Sequence, residues 1–252
     1  MLLFKIILAP VLIGLVSLAG RRWGAGIAGW LLGLPLNSGP ILLFLLLEQG
    51  PGFASDAARG SLLGILAWAA FCLTYARCCV RLPWWWSALA GWMAYFVVAF
   101  ALLAVNLSAA WIFVMVSVAL VAILLTFPKP PQAESRSVSQ PRKELWLRMA
   151  AASVMVVTLT GVARILGPTR SGILSAFPAY TTILAVFSHL DGPAAAVSTL
   201  KGVTAGLYTA ATFLLVLALS LTRLSGVLSF TLAAIAALAI QAGSLVYVRR
   251  GT

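Results

Sequence analysis

The stretch GAGIAGWLLGLPLNSGPILLFLLL, residues 24–47, is apolar and long enough to cross a bilayer, yet Pro35-Leu-Asn37-Ser38-Gly39-Pro40 interrupts its middle. A proline removes a backbone donor and clashes with the preceding turn. Two prolines bracketing Asn-Ser-Gly should therefore break the helix outright. Backbone groups freed at that depth cannot face lipid and must face protein or a wet cavity.

The run has a second copy. A shift of 143 residues lays Gly24 on Gly167, Gly29 on Gly172, Pro35 on Pro178, Arg21 on Arg164 and Lys5 on Arg148. After a single-residue gap the shift becomes 142. Gly50-Pro51 then meets Gly192-Pro193, and Arg59-Gly60-x-x-x-Gly64 meets Lys201-Gly202-x-x-x-Gly206. Glycines, prolines and flanking cations kept in order across three runs point to duplication.

Nine apolar runs are expected as spans: Leu2–Ala19, Gly24–Leu47, Ala54–Ala76, Leu82–Val105, Ala109–Phe127, Leu147–Leu166, Gly167–Ser188, Ala194–Leu219 and Ser225–Val248. This predicts an all-α bundle. Repeat 1 covers residues 1–105, a linker span 106–127, a basic, Pro-rich linker 128–146 and repeat 2 residues 147–252. A copy that begins after an odd number of spans is inverted, an arrangement that recurs in secondary transporters. The first run is read as a retained span, since Arg21-Arg22 follow it at once and it has a counterpart in the second half.

Composition sets the class. The chain has 252 residues, 62% of them hydrophobic and only 9% charged, far too little charge to cover a water-facing surface. No segment alternates as a barrel strand would. The formal charge is +12, from 17 Lys and Arg against 5 Asp and Glu. These cations sit singly or in pairs at the ends of apolar runs, which argues for topology and against nucleic acid. Counting them on alternate sides leaves twelve on one side and five on the other. By the positive-inside rule the amino terminus is then outside and the carboxyl terminus cytoplasmic. Cys72, Cys78 and Cys79 have no metal-ligand partners at useful spacing.

The segment from Phe4-Lys5 through Arg21-Arg22, then Gly29-Trp-Leu-Leu-Gly-Leu-Pro35, a short polar loop and the third and fourth runs, resembles the GlpM-like family of small bacterial inner-membrane proteins. The resemblance covers roughly residues 4–105. It implies a multi-pass protein of the bacterial inner membrane, loosely linked to envelope or exported-polysaccharide metabolism, and it assigns no substrate or catalytic residue. The duplication and Asn37-Ser38-Gly39-Pro40 depart from the family pattern.

Paired Pro/Gly interruptions at matching places in two repeats point to a transporter binding site. The candidate substrate-binding residues are Pro35, Asn37, Ser38 and Gly39, with Pro178, Tyr180, Thr181 and Thr182. The competing reading is a structural kink whose hydroxyls re-bond their own backbone. Glu48, His189 and Asp191 stand where the second and seventh runs end and are candidates for gating or coupling. Arg21, Arg164 and Arg170 flank the amino ends of those runs, where the helix dipole also favours an anion. The glycine pairs Gly29/Gly33, Gly60/Gly64 and Gly202/Gly206 permit close helix approach, and the seam between repeats is expected at the Gly60 and Gly202 pairs.

No span carries a charge at its middle, and no Gly-rich phosphate loop, Cys-x-x-Cys or His-Glu-x-x-His occurs. The expectation is a non-enzymatic transporter or flippase with no cofactor or metal. Its partners would be the bilayer and an anionic small molecule or lipid headgroup. A non-transporting subunit of an envelope-synthesis complex is the alternative, and a homodimer is a further open assembly.

Overall fold

The computed structural model describes residues 11, 14–20, 22–35, 38–105, 107–131 and 177–250, with backbone alone for 245–250. The sixth apolar run, the first ten residues of the seventh and most of the first lie outside the described residues, as does the basic linker beyond residue 131. Among the described residues the fold is all-α and contains no strand. A helical stretch at residues 14–20 precedes α1 (Ala25–Leu32), α2 (Ser38–Cys78), α3 (Trp84–Leu102), α4 (Ala109–Leu125), α5 (Ala179–Leu190), α6 (Pro193–Ser220) and α7 (Gly226–Arg250).

Among the described residues, four helices are long and apolar enough to cross a membrane: Ser38–Cys78, Trp84–Leu102, Pro193–Ser220 and Gly226–Ser244. Their outward faces are apolar too. On α3, the buried stripe Ser87, Ala88, Gly91, Tyr95 and Ala99 backs an exposed Leu89, Met93, Val97 and Phe100. On α4, Ile112, Val116 and Leu120 face inward, while Trp111, Val118 and Leu125 face out. A surface of this kind is stable against acyl chains, not water.

The second apolar run is not one helix. α1 ends at Leu32, and its last turn tightens through i→i+3 bonds from Gly33 N–H to Trp30 C=O (3.1 Å) and Leu34 N–H to Leu31 C=O (3.2 Å). The chain turns at residues 33–35, and α2 opens with Gly39 N–H on Pro35 C=O (2.9 Å). Eight helical residues of α1 rise about 12 Å, well short of a hydrocarbon core of about 30 Å.

Two further breaks share one construction. α2 is interrupted at Gly50 (φ 84°, ψ 174°), and Pro51 restarts it. α5 ends, Gly192 adopts φ 125° and ψ 156°, and Pro193 starts α6. Each glycine occupies a conformation that a Cβ would strain, and each proline sits where its missing N–H costs nothing. The second arm of α2, residues 51–78, and α6 are long helices of about 42 Å. They run antiparallel: Ser55 Oγ, near the start of that arm, donates to Ala218 C=O near the end of α6 (2.8 Å).

α6 is the centre of the bundle. Two thirds of its most apolar window is buried (67%), against 28% for α3 and 22% for α7. α1, α2, α4, α5 and α7 all pack on it. The tightest crossing is with α1. A Cβ on Gly29 would collide with the Thr199 carbonyl, one on Gly33 with the Gly206 backbone, and one on Gly202 with the Gly26 carbonyl. The seam between first-half and second-half helices therefore pairs Gly29/Gly33 with Gly202/Gly206. This corrects the expected pairing of the Gly60 and Gly202 motifs. Gly60 is exposed, and among the described residues no atom outside its own helix turn lies within 4 Å of where its Cβ would lie. Glycine spacing marks a face that permits close approach but does not name its partner.

Candidate functional site

The sequence candidates fall into two groups, both packed against α6. Pro35 is half-buried in the turn that follows α1. Ser38 and Gly39 are half-buried at the start of α2, where a Cβ on Gly39 would stand 3.6 Å from the Phe213 ring of α6. Asn37, Arg21, Arg164 and Arg170 lie outside the described residues.

The second group is built around α5, whose twelve residues rise only about 18 Å. Pro178 is buried just before it, and its carbonyl receives both the N–H and the hydroxyl of Thr182, each at 2.8 Å. Such hydroxyl back-bonding is how a helix end satisfies itself away from water. Phe177 anchors the entry. Its ring lies 5.8 Å from Trp92, 5.4 Å from Tyr95 and 5.8 Å from Phe96, all on α3.

Three aromatic side chains from the first half then reach α5. Trp68 Nε1 donates to Thr181 Oγ1 (3.0 Å), and Trp92 Nε1 donates to Thr182 Oγ1 (3.2 Å). Tyr75 Oη stands 3.4 Å from His189 Nδ1 in an edge-on ring contact. Thr181 and Thr182 are buried, and Tyr180 packs half-buried against the core. Ser188 and Thr199 share a buried hydrogen bond of 2.9 Å between α5 and α6. Every indole N–H in this group has a hydroxyl to meet, as a buried Trp requires.

The three ionisable candidates separate. Glu48 is exposed near the end of the first arm of α2. Asp191 is half-buried in the turn after α5, where its N–H donates to Phe187 C=O (3.1 Å). His189, in the last turn of α5 beyond the apolar run, is half-buried. Its pKa is held below the ordinary histidine value by burial, against the opposing effect of a hydrogen bond to the Cys79 backbone. It is neutral at pH 7. Among the described residues no three His, Cys, Asp or Glu side chains converge as metal ligands.

A second polar group escaped the sequence reading. Gln241 of α7 is buried; it accepts a hydrogen bond from Thr209 Oγ1 of α6 and donates through Nε2 to Trp30 C=O of α1 (3.2 Å). Trp30 Nε1 donates to Ser244 Oγ (2.8 Å), which in turn donates to Gln241 C=O (3.0 Å). The signal was a lone amide inside the ninth apolar run. Trp68 and Trp92, likewise, stand inside their runs and not at an interface.

No protein-family model, curated protein or solved structure matches the chain. The functional reading rests on this geometry.

Proposed function

We propose that the chain is a small membrane transporter or flippase built from two inverted repeats, with its site at the broken second helices. The observation that carries this is the antiparallel pairing of the second arm of α2 with α6. These two helices occupy the same place in the sequence repeat, and each is entered through a positive-φ Gly followed by Pro. The repeat shift of 142 also relates Cys78 to Ser220 and Trp84 to Gly226, which are the helix ends on either side of the next turn. A duplicated unit inserted the other way up has this signature.

Further support comes from packing between the halves. α1 of the first half lies on α6 and α7, while α5 of the second half packs on α6, meets α1 and α3 of the first half and takes hydrogen bonds from Trp68 of α2 and Trp92 of α3. α1 thus depends on the opposite half and α5 on both halves, so rocking of one half against the other would remake the surroundings of both breaks. The proposed ligand is an anionic small molecule or lipid headgroup, and the proposed setting is a bacterial inner membrane, amino terminus outside. The GlpM-like resemblance adds an envelope association to the same proposal.

Flux or lipid scrambling in proteoliposomes, over a panel of anions and polyprenyl lipids, tests the reading. Wild-type protein should give activity, and Asn37→Leu or Pro178→Leu should abolish it without loss of folded yield. A wild-type protein inert over the whole panel would sink it.

One observation favours a different class, a non-transporting subunit of an envelope complex. The exposed Gly60 face of α2 has nothing packed on it among the described residues, and a small-residue face admits a close partner helix. Gly60→Leu would then abolish co-purification of a partner from native membranes, whereas in the transporter reading it leaves flux unchanged.

A further inference from the structure

α1 stops short of the far side of a bilayer, so its last carbonyls need partners that water would otherwise supply. Trp30 C=O already receives the Gly33 N–H at 3.1 Å, and Gln241 Nε2 adds a second bond at 3.2 Å. The same amide takes the Thr209 hydroxyl through its oxygen. Ser244 closes the circuit by receiving the Trp30 indole N–H and donating to the Gln241 carbonyl. One side chain of α7 therefore ties α6 to the carboxyl end of α1, three residues before the Gly33–Pro35 turn.

A buried amide in an apolar helix is costly unless its hydrogen bonds are made. Here both of its ends are used. By the repeat shift of 142 its counterpart is Ala99, and the counterpart of Thr209 is Ala67. The first half therefore has no equivalent of this tie. α5 is held instead by the indoles of Trp68 and Trp92.

We infer that Gln241 is a positioning residue for the proposed site: it clamps the broken end of α1 and so sets the placement and water access of Pro35, Ser38 and Gly39. The inference rests on the transporter reading for its purpose, but its geometry can be tested without any substrate.

The probe is a single cysteine at Ser38 in a Cys72→Ala, Cys78→Ser, Cys79→Ser full-length chain, labelled in proteoliposomes with a membrane-impermeant maleimide. With Gln241 present, labelling should be slow. Gln241→Leu should raise its rate about tenfold or more, the change expected when two buried hydrogen bonds are lost. Thr209→Val, which removes one of them, should give a smaller rise. Gln241→Glu should restore slow labelling once the buried carboxyl is protonated, because it can then both donate and accept. A rate unchanged by Gln241→Leu overturns the inference, whether or not the melting temperature falls, since stability without positioning is a different role. A Gln241→Glu rate as fast as that of Gln241→Leu at the same low pH overturns it as well. Should labelling behave as expected while wild-type vesicles carry no flux, only the transporter reading fails.

Discussion

Trp68, Trp92 and Tyr75 each place a donor against α5, and the energetics of a buried hydrogen bond make their contributions measurable. Trp68→Phe leaves the buried Thr181 hydroxyl without its donor, which costs about 1 kcal/mol. Adding Thr181→Val should recover part of that loss, because both partners are then apolar. A double-mutant cycle in detergent reads the coupling, and strictly additive losses would show that the bond contributes nothing. His189 supplies a pH signature. Its folded pKa lies below the ordinary value, so above about pH 6.5 the imidazole is neutral in both states and its packing is intact. Below that value the unfolded chain takes up a proton that the folded site resists, and stability falls as pH approaches the folded pKa. The melting temperature should drop between pH 7 and pH 5, and His189→Gln should flatten that slope. An equal slope in the variant would show that other groups cause it.

At the scale of helices, the contrast between Gly206 and Gly60 separates sequence motif from structural use. Both stand in a Gly-x-x-x-Gly spacing, yet only Gly206 meets backbone, from Trp30 and Gly33. Gly206→Leu should destabilise by about 3 kcal/mol or prevent folding, since neither helix can yield. Gly60→Leu should stay within about 0.5 kcal/mol. Urea or thermal unfolding in detergent checks both, and a tolerated Gly206→Leu would overturn the seam. The Gly-Pro breaks follow another rule. Gly50→Ala and Gly192→Ala each place a Cβ on a positive-φ, extended-ψ backbone with open space around it, so the cost is conformational, about 1–3 kcal/mol. These breaks were legible from the dipeptides themselves, as was the interruption after Leu32, because proline chemistry is local. The partner of each glycine face was not legible, because small residues of every face look alike in one dimension.

For the whole molecule, the inverted arrangement predicts which loops share a side. Single cysteines at Gly24 and Gly192 should react from the cytoplasmic side and one at Pro128 from the same side, each checked with impermeant maleimide before and after permeabilisation. Labelling of Gly24 and Pro128 from opposite sides would break the proposed topology at Asn106–Ser108. Within the candidate site, the hydroxyls of Thr181 and Thr182 could be picked out from the sequence because they follow Pro178. Their indole donors stand 113 and 90 residues away, and nothing in linear spacing announces such pairs. Gln241 was hidden for the same reason: its partners Trp30 and Thr209 come from two other helices.

The chain by itself determined the class and the punctuation. Apolar runs with so few charges form helices against lipid, and the breaks fall at Pro35 and at the two Gly-Pro pairs, because both effects act within a turn or two of backbone. Tertiary structure alone decided that α6 is the hub, that α1 docks on Gly202 and Gly206, and that α5 receives the indole donors of Trp68 and Trp92. Those outcomes depend on which small faces fit together and on which buried donors find acceptors across the bundle, and such matching exists only once the helices are assembled.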